Sequence, residues 1–347
     1  MRIGPARIGV VLFNLGGPDK PEAVRPFLHN LFADPAILGG PTPIRRLAAA
    51  LIAWGREGQA KANYARLGGG SPLLAQTLAQ ARALEEELGL LRPQTAFKVV
   101  IAMRHWPPLA AQTVQELDSF GPERIVLLPL YPQFSTTTTG SSLADWRRIY
   151  QGRAEVHTVC CWPVMRSFVQ AHADLIRTTW EEGGRPRVRL LFSAHGLPKR
   201  VVEKGDPYQW QVETTCRVIA GLLGADWDWR LCYQSRVGPM KWLEPTTLKE
   251  IEAAAADGLG VLIDPVSFIS EHVETLVELD HDYRRRALAL GMSSYLRCPT
   301  VQTQPGFISG LARMVETRLS ATGAGPEGVG CPDDLELCGR TRFERHS

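Results

Sequence analysis

The strongest constraint on this chain is a set of short apolar runs that do not alternate with polar residues. They read "IGVVLFN" (8–14), "FKVVIAM" (97–103), "RIVLLPL" (124–130), "RVRLLFSA" (187–194), "WRLCYQS" (229–235) and "GVLIDPV" (260–266). Successive side chains of a strand point to opposite faces, so a strand with one wet face alternates. Continuous apolar runs this short read as strands covered on both faces, the habit of parallel sheets. Between them the apolar spacing turns helical, over 21–33, 72–90, 108–120, 164–182, 208–223, 246–257 and 271–290. Parallel neighbours need a crossover, usually a helix, to join them. The expected fold class is therefore α/β, with doubly wound, Rossmann-like parallel sheets.

The chain has 347 residues, which fits two domains at roughly 100–200 residues each. A faint internal echo points the same way. "LFNLGGP" begins at Leu12 and "LFSAHGLP" at Leu191, each an apolar strand followed by a Gly/Pro turn and a helix. A second echo aligns "IVLLPLYPQFS" with "VLIDPVSFIS" through Pro129 and Pro265. The two offsets, 191 − 12 = 179 and 265 − 129 = 136, differ, so the halves would carry different insertions. The expected division is 1–155, 156–320 and a flexible Gly-rich, charged tail at 321–347, with the last helix (304–320) able to pack back on the first domain.

Composition excludes several classes. A net charge of +3 gives no basic surface of the kind nucleic acid needs. No apolar run approaches the roughly 20 residues that span a bilayer, and residues 1–14 lack the features of a signal peptide. Seven cysteines without regular spacing fit a reduced, cytoplasmic protein better than a disulfide scaffold. The glycine motifs of nucleotide binding and the G-x-S-x-G elbow are missing.

The candidate functional residues follow strands. In open α/β sheets, ligands sit beyond the carboxyl ends of the strands. "FSAHGLP" puts His195 at such an end, where an imidazole can take a proton or bind a borderline metal near neutral pH. A lone histidine is more often structural, so position is what raises this one. "ISEHVETLVELDHD" (269–282) gathers carboxylates and two histidines. On an α-helix Glu274 and Glu278 share a face, whereas His272 and Glu274 diverge. A π-type widening of the turn would let His272 and Glu274 converge. The competing reading is a solvated acidic first turn that complements the helix dipole; it accounts for Glu271 and Glu274 better than for Glu278, Asp280 and Asp282. Arg66 and Arg104 can pair with ligand carboxylates or simply face solvent. Tyr131, Phe134 and Trp242 lie in post-strand loops, as core lids or as walls for a flat ligand. The apolar segment 34–57, with Arg45 and Arg46 embedded, reads equally as a packed helix or as a lip on a membrane surface.

Seven motifs then occur together and in order: "NLGGP", "NYARLGGGSPL", "LYPQFSTTTTGSS", "FSAHGLP", "GDPYQWQVETT", "CYQSRVGPMKWLEP" and "SEHVETLVELDHDY". Over about residues 8–320 the chain closely resembles the ferrochelatase family, enzymes that insert ferrous iron into a porphyrin at the end of haem synthesis. The resemblance implies two similar α/β domains with the porphyrin in a cleft between them. It implies that His195 lies at the metal and pyrrole centre with Glu274 acting opposite it, and that His272 and Glu278 belong to the same polar channel. It places Arg104, Tyr131 and Trp242 along the porphyrin face and Arg66 near a propionate. The substrates it implies are ferrous iron and a porphyrin, taken here as protoporphyrin IX because the apolar 34–54 lip suits a greasy ligand. Coproporphyrin III, with four carboxylates, would want more basic contacts.

Two departures from the family pattern matter. Some members hold a [2Fe–2S] cluster with one internal and three C-terminal cysteines. Here the internal position is Thr136, and the tail carries only Cys331 and Cys338. Cys160 or Cys161 could substitute, but the missing tail cysteine weighs against a cluster. Where other members place a metal-facing tyrosine in "NLGGP", this chain has Leu15. Competing functions are a cobalt-type tetrapyrrole chelatase, a haem carrier and a bilobed small-molecule binder. The expected protein is a monomer or homodimer in the cytoplasm, in peripheral contact with the inner face of the membrane through 34–54.

Overall fold

In the computed structural model, the described residues are 5–320 and, beyond them, Pro332, Leu335, Leu337 and Cys338. Most of the expected flexible tail, including Cys331, lies outside the described residues. Among the described residues eight strands form: β1 (Ala6–Asn14), β2 (Thr95–Met103), β3 (Arg124–Pro129), β4 (Glu155–Thr158), β5 (Val188–His195), β6 (Trp229–Gln234), β7 (Gly260–Asp264) and β8 (Tyr295–Arg297). They make two four-stranded sheets, ordered β2-β1-β3-β4 and β6-β5-β7-β8. Every pair is parallel. The two orders are the same permutation. β1 and β5 hold the same place in their sheets, as do β3 and β7, so both echoes in the sequence fall on equivalent strands.

The chain divides into two compact units. One holds the described residues up to Cys161, together with Leu311–Ser320; the other runs from Trp162 to Gly310 and includes the described residues of 327–338. The helix Pro305–Ser320 is thus split between them. In the first unit its second half is held by an Arg92–Glu316 ion pair and by Arg124 donating to the Leu319 carbonyl.

The apolar runs explain both cores. In the first unit Val11 and Phe13 of β1, Val100 and Ala102 of β2, and Ile125 and Leu127 of β3 pack against Leu117, Leu143 and Trp146 of flanking helices. The intervening residues Val10, Leu12 and Val126 are also fully buried, on the other face. In the second unit Leu191, Cys232, Val261 and Ile263 meet Ile251, Leu279 and Ala287 in the same manner. β4 and β8 escape the sequence reading because they are short edge strands with partly exposed residues. A helix at Thr139–Ile149 was also unexpected; its start is a hydroxyl run that reads as loop, yet Thr139, Ser141 and Ser142 are buried.

Candidate active site

The carboxyl ends of the second unit's strands carry the acid–base chemistry. His195 is the last residue of β5, and Gln234 the last of β6, in register with it. Gly196 then lets the chain turn close to β6. A Cβ at that position would lie 2.9 Å from the Gln234 carbonyl oxygen and 3.4 Å from the Trp242 ring. Residues 197–199 pair back on 241–243, through Leu243 N–H to the Leu197 carbonyl and Lys199 N–H to the Lys241 carbonyl, both at 2.9 Å. That pairing seats Trp242, which is buried, beside the His195 turn.

The acidic stretch after β7 does not wind as an α-helix. Glu274–Tyr283 is a π-helix, followed by α-helix at Arg284–Ala289. The expected single helix over 271–290 is therefore corrected: it starts later, and its first part has wider turns. His272 lies ahead of this helix, so the wide winding sets the direction of Glu274 and the residues after it rather than the 272–274 spacing. Glu274 Oε2 lies 2.8 Å from His195 Nδ1. Phe268 sets its edge against both histidines, with centroids 4.8 Å from His272 and 6.5 Å from His195. Tyr208 donates its hydroxyl to the His195 carbonyl at 2.9 Å and so fixes the strand end.

Glu278 is the best-satisfied carboxylate. Its Oε1 accepts from the Ser235 N–H at 2.9 Å and the Tyr283 hydroxyl at 2.7 Å. Its Oε2 accepts from the Ser235 hydroxyl at 2.5 Å and Gln234 Nε2 at 3.2 Å. Gln234 also donates to the Glu274 carbonyl at 2.9 Å. Glu278 therefore anchors the π-helix to the end of β6, and Ser235 reaches it from a left-handed backbone conformation, φ 63°. Gln234, Ser235, Tyr208, Tyr283 and Phe268 were not singled out from sequence. Four of them sit inside the motifs quoted above, but Gln234 and Ser235 meet partners 40 or more residues away, Tyr283 meets Glu278 within the π winding, and Tyr208 reaches back 13 residues to the His195 carbonyl.

The electrostatics favour a charged pair. Burial alone would lower the His195 pKa, but the Glu274 carboxylate outweighs it, with Glu278 adding to the effect, and the pKa is raised. Burial would raise Glu274; His195, and then His272, more than offset that and hold it at about 2. His272 is lowered by burial. Its Nδ1 has no hydrogen-bond partner, while its backbone N–H bonds Thr275 Oγ1 at 3.0 Å.

The first unit places its candidates separately. Arg104 gives Nη2 to Asp34 at 3.0 Å and Nε to Ser141 Oγ at 2.7 Å. Tyr131 packs against the β1–β3 core, and burial pushes its phenol pKa well up. Arg66 ends the long helix Thr42–Ala65 and is exposed. Cys160 and Cys161 are buried with Phe134, sulfurs 3.3 Å apart. Cys338 is buried, and Cys331 lies outside the described residues. A [2Fe–2S] centre needs four ligands, commonly cysteine thiolates. Among the described residues no group of three or more metal-ligating side chains gathers.

Comparison with solved structures defines the class first. The chain is similar to the cobalt complex of the sirohydrochlorin chelatase SirB from Bacillus subtilis, with TM-score 0.51 and 10% identity over 91% of this chain and 96% of that one. At that identity the likeness is one of fold: a two-domain, chelatase-type α/β protein. A family model described as Ferrochelatase matches residues 7–319. Ferrochelatases of Phenylobacterium zucineum (54% identical; 93% of this chain, 94% of theirs) and Caulobacter vibrioides (55%; 89% of each) are close relatives. The chain belongs to the ferrochelatase family.

Proposed function

We propose that this protein catalyses the reaction of its family, insertion of ferrous iron into protoporphyrin IX, with His195 and Glu274 at the reacting centre. The observation that carries the assignment is the 2.8 Å pair between His195 Nδ1 and Glu274 Oε2, at a strand's carboxyl end, with 38% of the His195 side chain still exposed. A structural pair would be covered; this one is open to a substrate.

The chemistry follows from the charges. Two pyrrole protons leave as iron enters, so a base must face the ring. Fe²⁺ must also be released after capture, which suits carboxylate and imidazole rather than thiolate ligands. Glu274 stays ionised and attracts the cation. Iron arriving at Glu274 cancels the charge that holds the proton on His195. The imidazolium then gives that proton to solvent, to which its side chain is 38% exposed, and the neutral imidazole becomes the base that accepts one from a pyrrole nitrogen. His272, whose pKa is lowered, is neutral and available beside it. Glu278 holds the π-helix in place, and Trp242, Tyr131, Arg104 and Arg66 are the residues we assign to the porphyrin. Arg104 reaches that role already paired with Asp34, as a preset donor.

The test is anaerobic incubation with Fe²⁺ and protoporphyrin IX, read by the Soret and Q-band change. His195→Ala and Glu274→Gln should each slow metallation by about 10²–10⁴-fold, the usual worth of a positioned acid–base group. Near-full activity in His195→Ala would refute the assignment. Turnover with coproporphyrin III alone would keep the mechanism and overturn the substrate.

We further propose membrane-surface contact through the helix Thr42–Ala65. Ile44, Leu47, Leu51 and Trp54 are 62–67% exposed, and their 3-4-3 spacing makes one stripe. Among the described residues no helix is long and apolar enough to cross a membrane, so the stripe would lie on a surface. The protein should float with anionic vesicles, and Leu51→Asp with Trp54→Asp should abolish flotation without loss of turnover in detergent. Equal flotation of both proteins would remove the proposal.

A further inference from the structure

A π-helix is a rare winding that persists where its surroundings enforce it. In the second unit, besides the Glu278 anchor, one set of contacts on this segment centres on Arg297, the last residue of β8. Its Nε donates to Asp280 Oδ1 at 2.9 Å and its Nη2 to Asp280 Oδ2 at 2.5 Å, a bidentate pair. Its Nη1 donates to Glu271 Oε1 at 2.7 Å and to the Cys298 carbonyl at 3.1 Å. Glu271 Oε1 is fixed again by the Thr300 N–H at 2.9 Å. The Arg297 and Glu271 side chains are only 10% and 9% exposed. These are sheltered contacts, of the kind whose loss matters.

The two carboxylates bracket the site: His272, Glu274 and Glu278 all lie between Glu271 and Asp280. Their spacing carries the argument. Residues 271 and 280 are nine apart, about 2.5 turns of an α-helix, which would put them on opposite sides. One guanidinium cannot then hold both. It can do so here because the chain enters late and winds wide. The clamp spans the wide-wound segment, with Glu271 just ahead of the helix and Asp280 within it.

We propose that Arg297 is a positioning residue. Its grip on Glu271 and Asp280 selects the π winding of the segment between them, and that winding delivers Glu274 to His195. Arg297 acts through these carboxylates. The inference rests on the reading of His195 and Glu274 as the reacting pair. It also accounts for Asp280, which the solvated-turn reading fitted poorly, and for Glu271, which that reading fitted in sequence but which is buried. Glu271 and Asp280 are there to be gripped.

The test uses the full chain with Fe²⁺ and protoporphyrin IX. Arg284 is the control, because it ties neighbouring elements together without touching either carboxylate. It donates to the Tyr295 carbonyl at 3.0 Å and lies over the Tyr295 ring, 4.7 Å from its centroid. Arg297→Met should lower kcat about 100-fold, the scale of a small misplacement at a reacting centre, with porphyrin KM changed less than about threefold. Arg284→Met should melt earlier and keep kcat within about twofold. Arg297→Lys should recover little, because an ammonium cannot reproduce the fork. Asp280→Asn, which keeps shape and loses charge, should lose about tenfold in kcat, and it decides the matter if Arg297→Met fails to fold.

A folded Arg297→Met or Asp280→Asn protein with wild-type kcat overturns the proposal. So does a porphyrin KM that rises in step with the loss. Full activity in His195→Ala would instead overturn the reading of the site on which the proposal rests, whatever Arg297→Met does.

Discussion

His105 and His195 make an instructive pair. Each follows or ends a strand in its own unit, and each has a carboxylate nearby. His105 Nε2 is 3.8 Å from Asp34, and His195 Nδ1 is 2.8 Å from Glu274. Yet their pKa values move in opposite directions. His105 is lowered to about 3, by burial first and then by Arg104, with Asp34 pulling only weakly the other way. His195 is raised, because Glu274 overcomes burial. Distance accounts for part of this: 2.8 Å makes a hydrogen bond to His195, whereas at 3.8 Å His105 Nε2 has none. The Coulomb attraction itself scales as 1/r and changes by only about a third between the two separations. Prior commitment of the carboxylate differs as well. Asp34 already binds Arg104 at 3.0 Å and accepts the Ser141 hydroxyl at 2.5 Å. Glu274 has no arginine, and its charge goes to His195. Side-chain exposure follows the same division, 1% for His105 and 38% for His195. A histidine near a carboxylate becomes reactive only where nothing stronger has taken the carboxylate.

That comparison can be broken deliberately. The largest effect should come from Arg104→Met, which strands a nearly inaccessible Asp34. We expect about 3 kcal/mol of destabilisation in denaturant titrations, the lower end for breaking a buried pair. The His105 pKa should climb from about 3 as Asp34 turns to it. An unchanged His105 titration, followed by NMR, would show that burial alone sets its pKa.

The next effect is in the other unit. Glu274→Gln should drop the His195 pKa, because burial then opposes protonation without its main counterweight. If the His195 pKa stays raised, Glu278 rather than Glu274 is the controlling charge.

The smallest effect is on stability against pH. His195 is raised in the folded state, so its contribution is complete below its ordinary 6.5 and is lost as pH rises through the folded value. Glu274 is depressed to about 2, so its contribution is complete above its ordinary 4.5 and is lost as pH falls toward 2. Wild type should therefore exceed Glu274→Gln in Tm most between pH 4.5 and 6.5, with the gap narrowing on either side. The pair is partly exposed, so the gap will be modest. A gap independent of pH would mean the pair contributes shape rather than charge.

Much of this was legible in the sequence, and particular residues show how far that went. Six of the eight strands were readable because a strand covered on both faces must be apolar throughout. β4 and β8 were not, since "EVHT" and "YLR" lie on sheet edges where apolarity is not demanded. His195 could be chosen by its place after a buried strand. The carboxylates of 269–282 could be noticed from their spacing, but only the family resemblance singled out Glu274 and Glu278. Their numbers along the chain do not say that Glu274 pairs with His195, that Glu278 is tied to Ser235 and Tyr283, or that Glu271 and Asp280 face Arg297. Arg104 was readable as a cation near a strand end, while its engagement with Asp34, 70 residues earlier, was not.

The sequence by itself determined the parallel α/β architecture, its repetition and the family, because hydrophobic periodicity and motif order are local and survive being read one residue at a time. The tertiary structure alone decided the charge states and where the wide winding that the sequence left open begins and ends. Both depend on which carboxylate meets which cation across tens of residues of chain. Electrostatic energy depends on distance in space and on competitors for the same charge, and neither is written in sequence separation.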